Sequence, residues 1–163
     1  MILDDFAERD SHPWRLISDR VMGGVSQGTA RVETVAGRRA LRMRGRVSLE
    51  NDGGFLQIAR DLAQDGGTVD LSGFAGIELD VYGAGEDYGA HLRTSDVARP
   101  WQSWRATFRA EPGWRRMRLP FAEFRPHRID APLDLTRARR LGLVAIGRAF
   151  EADLALARAA LYS

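Results

Sequence analysis

The sequence predicts an all-β fold, an antiparallel sandwich or barrel, and three observations carry that prediction. Apolar and polar residues alternate with period two in segment after segment, the pattern of half-buried strands. Turn signals such as Ala36-Gly37, Asp52-Gly53-Gly54, Asp65-Gly66-Gly67, Gly83-Ala84-Gly85 and Pro112-Gly113 separate those segments at short intervals. Helical character is confined to short stretches, so at most one or two helical turns are expected.

Along the chain, the run from Ala40 to Leu49 places Leu41, Met43, Val47 and Leu49 on one face. The same alternation recurs in 77–82, 90–94, 104–109 and 114–119, with arginine repeatedly in the outward register. Residues 119–124, with Pro120 suited to a first turn, and 134–140, with Asp134 as N-cap, are the candidate helical turns. Residues 141–147 are apolar on both faces, as in a central strand covered on both sides. The alanines of 153–162 favour helix, but Leu154, Leu156 and the closing position of a period-two chain favour strand, and strand is predicted.

At 163 residues the chain fits one domain, 1–163, able to bury roughly two thirds of its unfolded surface. A hydrophobic content of 44% with 28% charged residues argues against disorder. No apolar run approaches the about 18 residues of a membrane span, so no direct membrane insertion is expected. The acidic start, Met1 to Glu8, has neither a signal-peptide core nor a transit-peptide composition, and a cytoplasmic protein is expected. Cysteine is absent, which excludes disulfides, thiolate nucleophiles and cysteine metal sites. All 24 basic residues are arginine, yet 22 acidic residues leave a net charge of only +2, which disfavours nucleic acid as a partner.

Two segments repeat one arrangement: Asp19-Arg20-Val21-Met22-Gly23-Gly24-Val25-Ser26 and Leu49-Glu50-Asn51-Asp52-Gly53-Gly54-Phe55. In each, charged or amide side chains precede Gly-Gly. A glycine pair allows positive φ or a close approach that no residue with a Cβ makes cheaply, so each pair predicts a sharp bend. The candidate binding residues are therefore Asp19, Arg20, Met22, Gly23, Gly24, Ser26, Asn51, Asp52, Gly53, Gly54 and Phe55. Arg20, with its rigid fork of donors, is the electrostatic anchor and Met22 the adaptable apolar contact. The competing view, weighted equally, makes Asp19-Arg20 an ion pair that locks one bend to the other.

His12, His91 and His127 lack metal-ligand spacing, no cofactor motif is present, and neither a metal nor a cofactor is expected. Glu50 and Asp52 resemble an acid–base pair, but carboxylates beside Gly-Gly more often cap turns, and no catalytic residue is assigned. Calcium at the same oxygens lacks the supporting spacing. Of the tryptophans set among arginines, Trp104 belongs with Phe108 in the core, and Trp101, beside Pro100, is the candidate exposed contact. Trp101 as a stacking platform with Arg93, Asn51 or Asp52 as hydrogen-bonding groups gives a second hypothesis, a glycan ligand.

Trp14, the string from Ser18 to Ser26 and the string from Leu49 to Phe55 resemble the complex I intermediate-associated protein 30 family. The resemblance continues through Leu92-Arg93-Thr94, residues 104–108, Leu119-Pro120-Phe121-Ala122-Glu123-Phe124-Arg125-Pro126 and Leu141-Gly142-Leu143, so it covers nearly the whole chain. It implies a galactose-binding-like jelly-roll β-sandwich akin to carbohydrate-binding modules. It also implies a non-enzymatic role, since mitochondrial members are assembly chaperones that hold intermediates of respiratory NADH:ubiquinone oxidoreductase. The chain departs from the family in having Asp52 where a second asparagine is common, and in matching only partly over Arg125 to Arg128. With no transit peptide evident, a bacterial stand-alone member is expected, with a protein partner, a glycan as the alternative, and a hydrolase as the weakest candidate.

Overall fold

In the computed structural model, which describes residues 1–7 and 12–163, two six-stranded antiparallel sheets face each other. The strands are β1 (Ile2–Asp4), β2 (Arg15–Ser18), β3 (Gln27–Val35), β4 (Arg38–Val47), β5 (Phe55–Asp61) and β6 (Gly76–Gly83). They continue with β7 (Glu86–Thr94), β8 (Ser103–Ala110), β9 (Arg115–Pro120), β10 (Arg125–His127), β11 (Ala138–Ile146) and β12 (Phe150–Tyr162). The first sheet runs β3-β4-β12-β6-β9, with β1 paired to β12, and the second runs β10-β8-β7-β11-β5-β2.

The period-two pattern explains the packing. On β4, Leu41, Met43 and Val47 point inward, joined by Ile77, Leu79 and Val81 from β6 and Leu154 and Leu156 from β12. From the second sheet, Leu56, Ile58, Leu92, Leu141, Leu143 and Trp104 meet them, and Trp104 satisfies its indole N–H on the Ala131 carbonyl at 3.2 Å. Each fully buried aliphatic side chain contributes about 1.5–3 kcal/mol. Truncating one such as Leu156 to alanine costs about 2–5 kcal/mol, because the closed sandwich relaxes little around the void.

The predicted strands all form, the C-terminal one included: β12 pairs with β4 on one side and β6 on the other. Two expectations need correction. Leu49 does not share the inward face of β4, which ends at Val47; it caps a bend and is 52% exposed. The helical turns among the described residues number four, all 3-10. Phe121–Glu123 and Leu135–Arg137 fall in the predicted segments, but Asp19–Met22 and Glu50–Asp52 occupy the two Gly-Gly segments. Those bends are tighter than loops because each closes on a backbone hydrogen bond, Gly23 N–H to the Arg20 carbonyl and Gly53 N–H to the Glu50 carbonyl. Residues 138–140 run on as β11 instead of continuing a helix.

Candidate functional site

Asp19 joins the two bends. Its side chain is fully buried between them. Oδ1 accepts the Ser26 N–H at 2.9 Å, while Oδ2 accepts the Ser26 hydroxyl, the Gly54 N–H at 2.6 Å and the Phe55 N–H at 3.3 Å. The Ser26 oxygen in turn accepts the Ser48 N–H at 2.9 Å, so the start of the second bend is tied to the same group. Burial alone would raise the pKa of Asp19, but donation from Ser26, Gly54 and Phe55 outweighs it and holds the carboxyl below its ordinary value.

The four glycines divide the work. Gly23 and Gly54 take φ of +86° and +133°, which L residues adopt only with strain, whereas Gly24 and Gly53 make room for Asp19. A Cβ on Gly24 would lie 2.4 Å from Asp19 Cγ, and one on Gly53 would lie 2.5 Å from Asp19 Oδ2. Asn51 and Asp52, both at φ +56°, are residue types that tolerate the left-handed region. The Asp19–Arg20 ion pair of the competing view is not formed; Arg20 Nε donates to the Ser26 carbonyl at 3.2 Å, and the lock is built from amides and a hydroxyl.

The latched bends form one end of a concavity of about 800 Å³ over the outer face of the second sheet. Its lining draws on every strand of that sheet, from Ile17 on β2 to His127 on β10. Register sets the floor: Ile146 lies opposite Phe55, Val144 opposite Gln57, Gly142 opposite His91, Arg140 opposite Arg93, and His91 opposite Arg105. Val21, Met22 and Leu49 stand at the rim beside β2 and β5, and Trp101 stands at the other edge, before β8.

Of the sequence-derived candidates, Met22, Asp52, Gly53, Gly54, Phe55, Arg93 and Trp101 line this concavity together. Asp19, Gly24 and Ser26 are buried beneath the rim, while Arg20, Gly23 and Asn51 are exposed outside the lining. The sequence-based reading missed Gln57, His91, Arg105 and His127. Alternation was the available signal, since Leu56 and Ile58 point to the core and therefore turn Phe55 and Gln57 outward.

The two outer faces differ in charge pairing. On the first sheet, Arg38 and Arg116 both meet Asp80, Arg42 meets Asp153, and Arg118 and Arg158 meet Glu78. In the concavity, Arg140 is neutralised by Asp61 at 3.1 Å, but Arg93 and Arg105 have no carboxylate partner among the described residues. Burial, reinforced by neighbouring arginines, lowers the pKa of both guanidinium groups. Burial also drives His91 down to about 3, helped by Arg105 and His127, so the imidazole is neutral at any ordinary pH. Among the described residues Asp52 is the only carboxylate in the lining, so they assemble no pair of carboxylates there for glycoside hydrolysis. Among the described residues no cluster of His, Asp and Glu side chains has metal-binding geometry. The arrangement offers shape, apolar contact and positive charge.

A comparison with curated proteins found no match. Solved structures share the fold: a family 11 carbohydrate-binding module from Clostridium thermocellum, in complex with a β-1,3-1,4-mixed-linked tetrasaccharide, superposes with a TM-score of 0.80 at 14% identity, over 99% of this chain and 94% of that one. A family 30 carbohydrate-binding module of a cellulosomal cellulase of the same organism superposes with a TM-score of 0.69 at 17% identity, over 98% of this chain and 97% of the other. The sandwich is thus a galactose-binding-like jelly roll. The model of complex I intermediate-associated protein 30 matches residues 5–156, nearly the full length and both Gly-Gly bends. The chain belongs to the complex I intermediate-associated protein 30 family.

Proposed function

We propose that this chain is a non-catalytic binding domain, a single unit from 1 to 163, whose concave face holds a protein partner. One observation carries the proposal. Among the described residues, the large apolar side chains left exposed are Val21, Met22, Leu49 and Trp101, all lining this concavity, together with Met1 and Ile2 at the start of the chain. Exposed apolar groups gathered on one concave surface mark an interaction site, whereas scattered ones need no explanation. Aliphatic and thioether groups suit the side chains of another protein.

Family membership supports an assembly-factor role of the kind the family name describes, holding an intermediate of respiratory complex I. Nucleic acid is disfavoured by the net charge of +2. Among the described residues no helix is long and apolar enough to cross a membrane.

A glycan is the second candidate, favoured by Trp101 standing exposed at the rim with Arg93 and Asp52 in the same concavity, and by the fold shared with carbohydrate-binding modules. Photo-cross-linking separates the two. A photoreactive amino acid at position 22 or 101 is expected to capture a discrete protein in the native cell, while one at position 46, on the opposite outer face, captures none. Equal capture from position 46, or glycan-array binding abolished by Trp101→Ala with no protein adduct, would contradict a protein-binding face.

A further inference from the structure

The chain contains many arginines, and its treatment of them is not uniform. Across the outer face of the first sheet, Asp80, Glu78 and Asp153 are set beside arginines at 2.7–2.9 Å. On the concave face Arg140 has Asp61, but among the described residues no carboxylate is set beside Arg93 or Arg105. Arg93 is half-buried, and the charges that act on it come from Arg140 and Arg139. Its guanidinium makes no hydrogen bond or ion pair with any described residue. Arg105 donates from Nε to the Ser103 hydroxyl at 2.8 Å and from a terminal nitrogen to the Trp101 carbonyl at 3.5 Å, and the charge that acts on it is that of Arg128. Gln57 and His91 lie between these groups and the latched rim, without hydrogen bonds from their side chains to described residues.

A neutral ligand laid over this floor would strip water from two guanidinium groups and return no counter-charge, which is unfavourable for half-buried cations. A carboxylate returns both charge and bidentate hydrogen bonds. The apolar rims at the two edges of the same concavity call for hydrophobic side chains on either side of that carboxylate. Six strands at a spacing of about 4.8 Å span roughly 24 Å, the length of about seven extended residues.

Resting on the protein-binding role proposed above, we propose that the concavity receives an extended segment of the partner in which acidic residues, seated on Arg93 and Arg105, are flanked by large apolar residues that meet Met22 and Leu49 at one end and Trp101 at the other. An acidic polysaccharide would satisfy the arginines but not the aliphatic rim formed by Val21, Met22 and Leu49.

The test is fluorescence anisotropy of the full chain with three labelled peptides that share one Leu/Phe pattern and carry Glu, Gln or Lys between the apolar residues. The Glu peptide is expected to bind at least about tenfold more tightly than the Gln peptide, with the Lys peptide weakest, since a hydrogen-bonded charge pair commonly contributes that much. Arg93→Gln and, independently, Arg105→Gln should each erase most of that preference, while Arg46→Gln leaves it unchanged. Neither groove substitution removes a contact that the fold uses for its core, and thermal unfolding of each variant verifies that it is folded.

Equal binding of the Glu and Gln peptides would overturn charge selection and leave the protein-binding role standing on its cross-links. Failure of every peptide to bind would overturn the extended acidic segment. Arg93-dependent binding of oligogalacturonate, with every peptide failing, would assign the site to an acidic glycan instead.

Discussion

The Asp19 carboxylate accepts the Gly54 amide at 2.6 Å across 35 positions of chain, so one buried acid sets where both Gly-Gly bends stand. The rim of the concavity, Met22 from one bend and Leu49 and Phe55 around the other, inherits its placement from that bond and its companions to Ser26 and Phe55. Binding surfaces carried on loops need such support to avoid the entropy of ordering them on contact.

Removing the latch therefore costs stability and rim order together. Asp19→Ala leaves the Gly54 and Ser26 donors without their acceptor, and about 3 kcal/mol of stability is expected to be lost in urea denaturation. Amide exchange at Gly54 and Phe55 should speed up in any Asp19 variant that remains folded. The sign with pH follows from the lowered pKa: the stabilisation is present above the ordinary carboxyl value of 3.8 and is lost as pH falls through the still lower value of the folded state.

The division of labour between paired glycines gives an ordered prediction. Gly23→Ala meets open space but must hold φ +86°, at a cost of about 1–2 kcal/mol. Gly24→Ala places its methyl group 2.4 Å from Asp19 Cγ and must displace the latch itself, so a loss of about 3 kcal/mol or more is expected. Equal losses in chemical denaturation would contradict the assignment of separate roles.

His91 gives the fold a second pH dependence. Its folded-state pKa of about 3 lies below the ordinary 6.5, so the unfolded chain takes up the proton first. Its contribution is present above pH 6.5 and is lost progressively as pH falls toward 3. The loss is on the order of a few kcal/mol. His91→Gln should flatten the stability profile across that window, measured as denaturation midpoints at successive pH values.

Trp101 serves as the optical reporter of the concave face. Trp14 and Trp104 are 4% and 1% exposed against 49% for Trp101, and Trp114 is held by its indole N–H on the Val35 carbonyl and by Arg38 over its ring. Iodide should quench mainly Trp101, and Trp101→Phe should remove most of the quenchable emission. Partner binding should protect it.

Much of this was legible in the chain. The period-two runs were long enough to identify β4, β6, β7, β8 and β12, and even the alanine-rich closing segment reads as strand because Leu154 and Leu156 both require the core. The Gly-Gly pairs correctly marked two bends, and Met22, Asp52 and Phe55 meet at one concavity. What local pattern does not contain is pairing across the sheet. Arg93 reads only as a hydrogen-bonding group for a glycan and Arg105 as one more outward arginine among many, and only register puts them on one floor without a carboxylate partner among the described residues while Arg42 and Arg116 find Asp153 and Asp80. Asp19 likewise reads as a binding residue or as the ion-pair partner of its neighbour Arg20, because a carboxylate satisfied by distant backbone amides leaves no mark in sequence.

The four methionines supply the most direct measurement. Met22, 54% exposed, stands at the rim of the concavity, while Met1, 61% exposed, starts the chain beside β1 on the other sheet, and Met43 is fully buried. With methyl-labelled methionine, addition of the partner recovered by cross-linking is expected to shift or broaden the Met22 methyl resonance and leave Met1 and Met43 unchanged. A shift confined to Met1, with Met22 unmoved at saturation, would contradict the assignment of the concave face as the surface that holds another molecule.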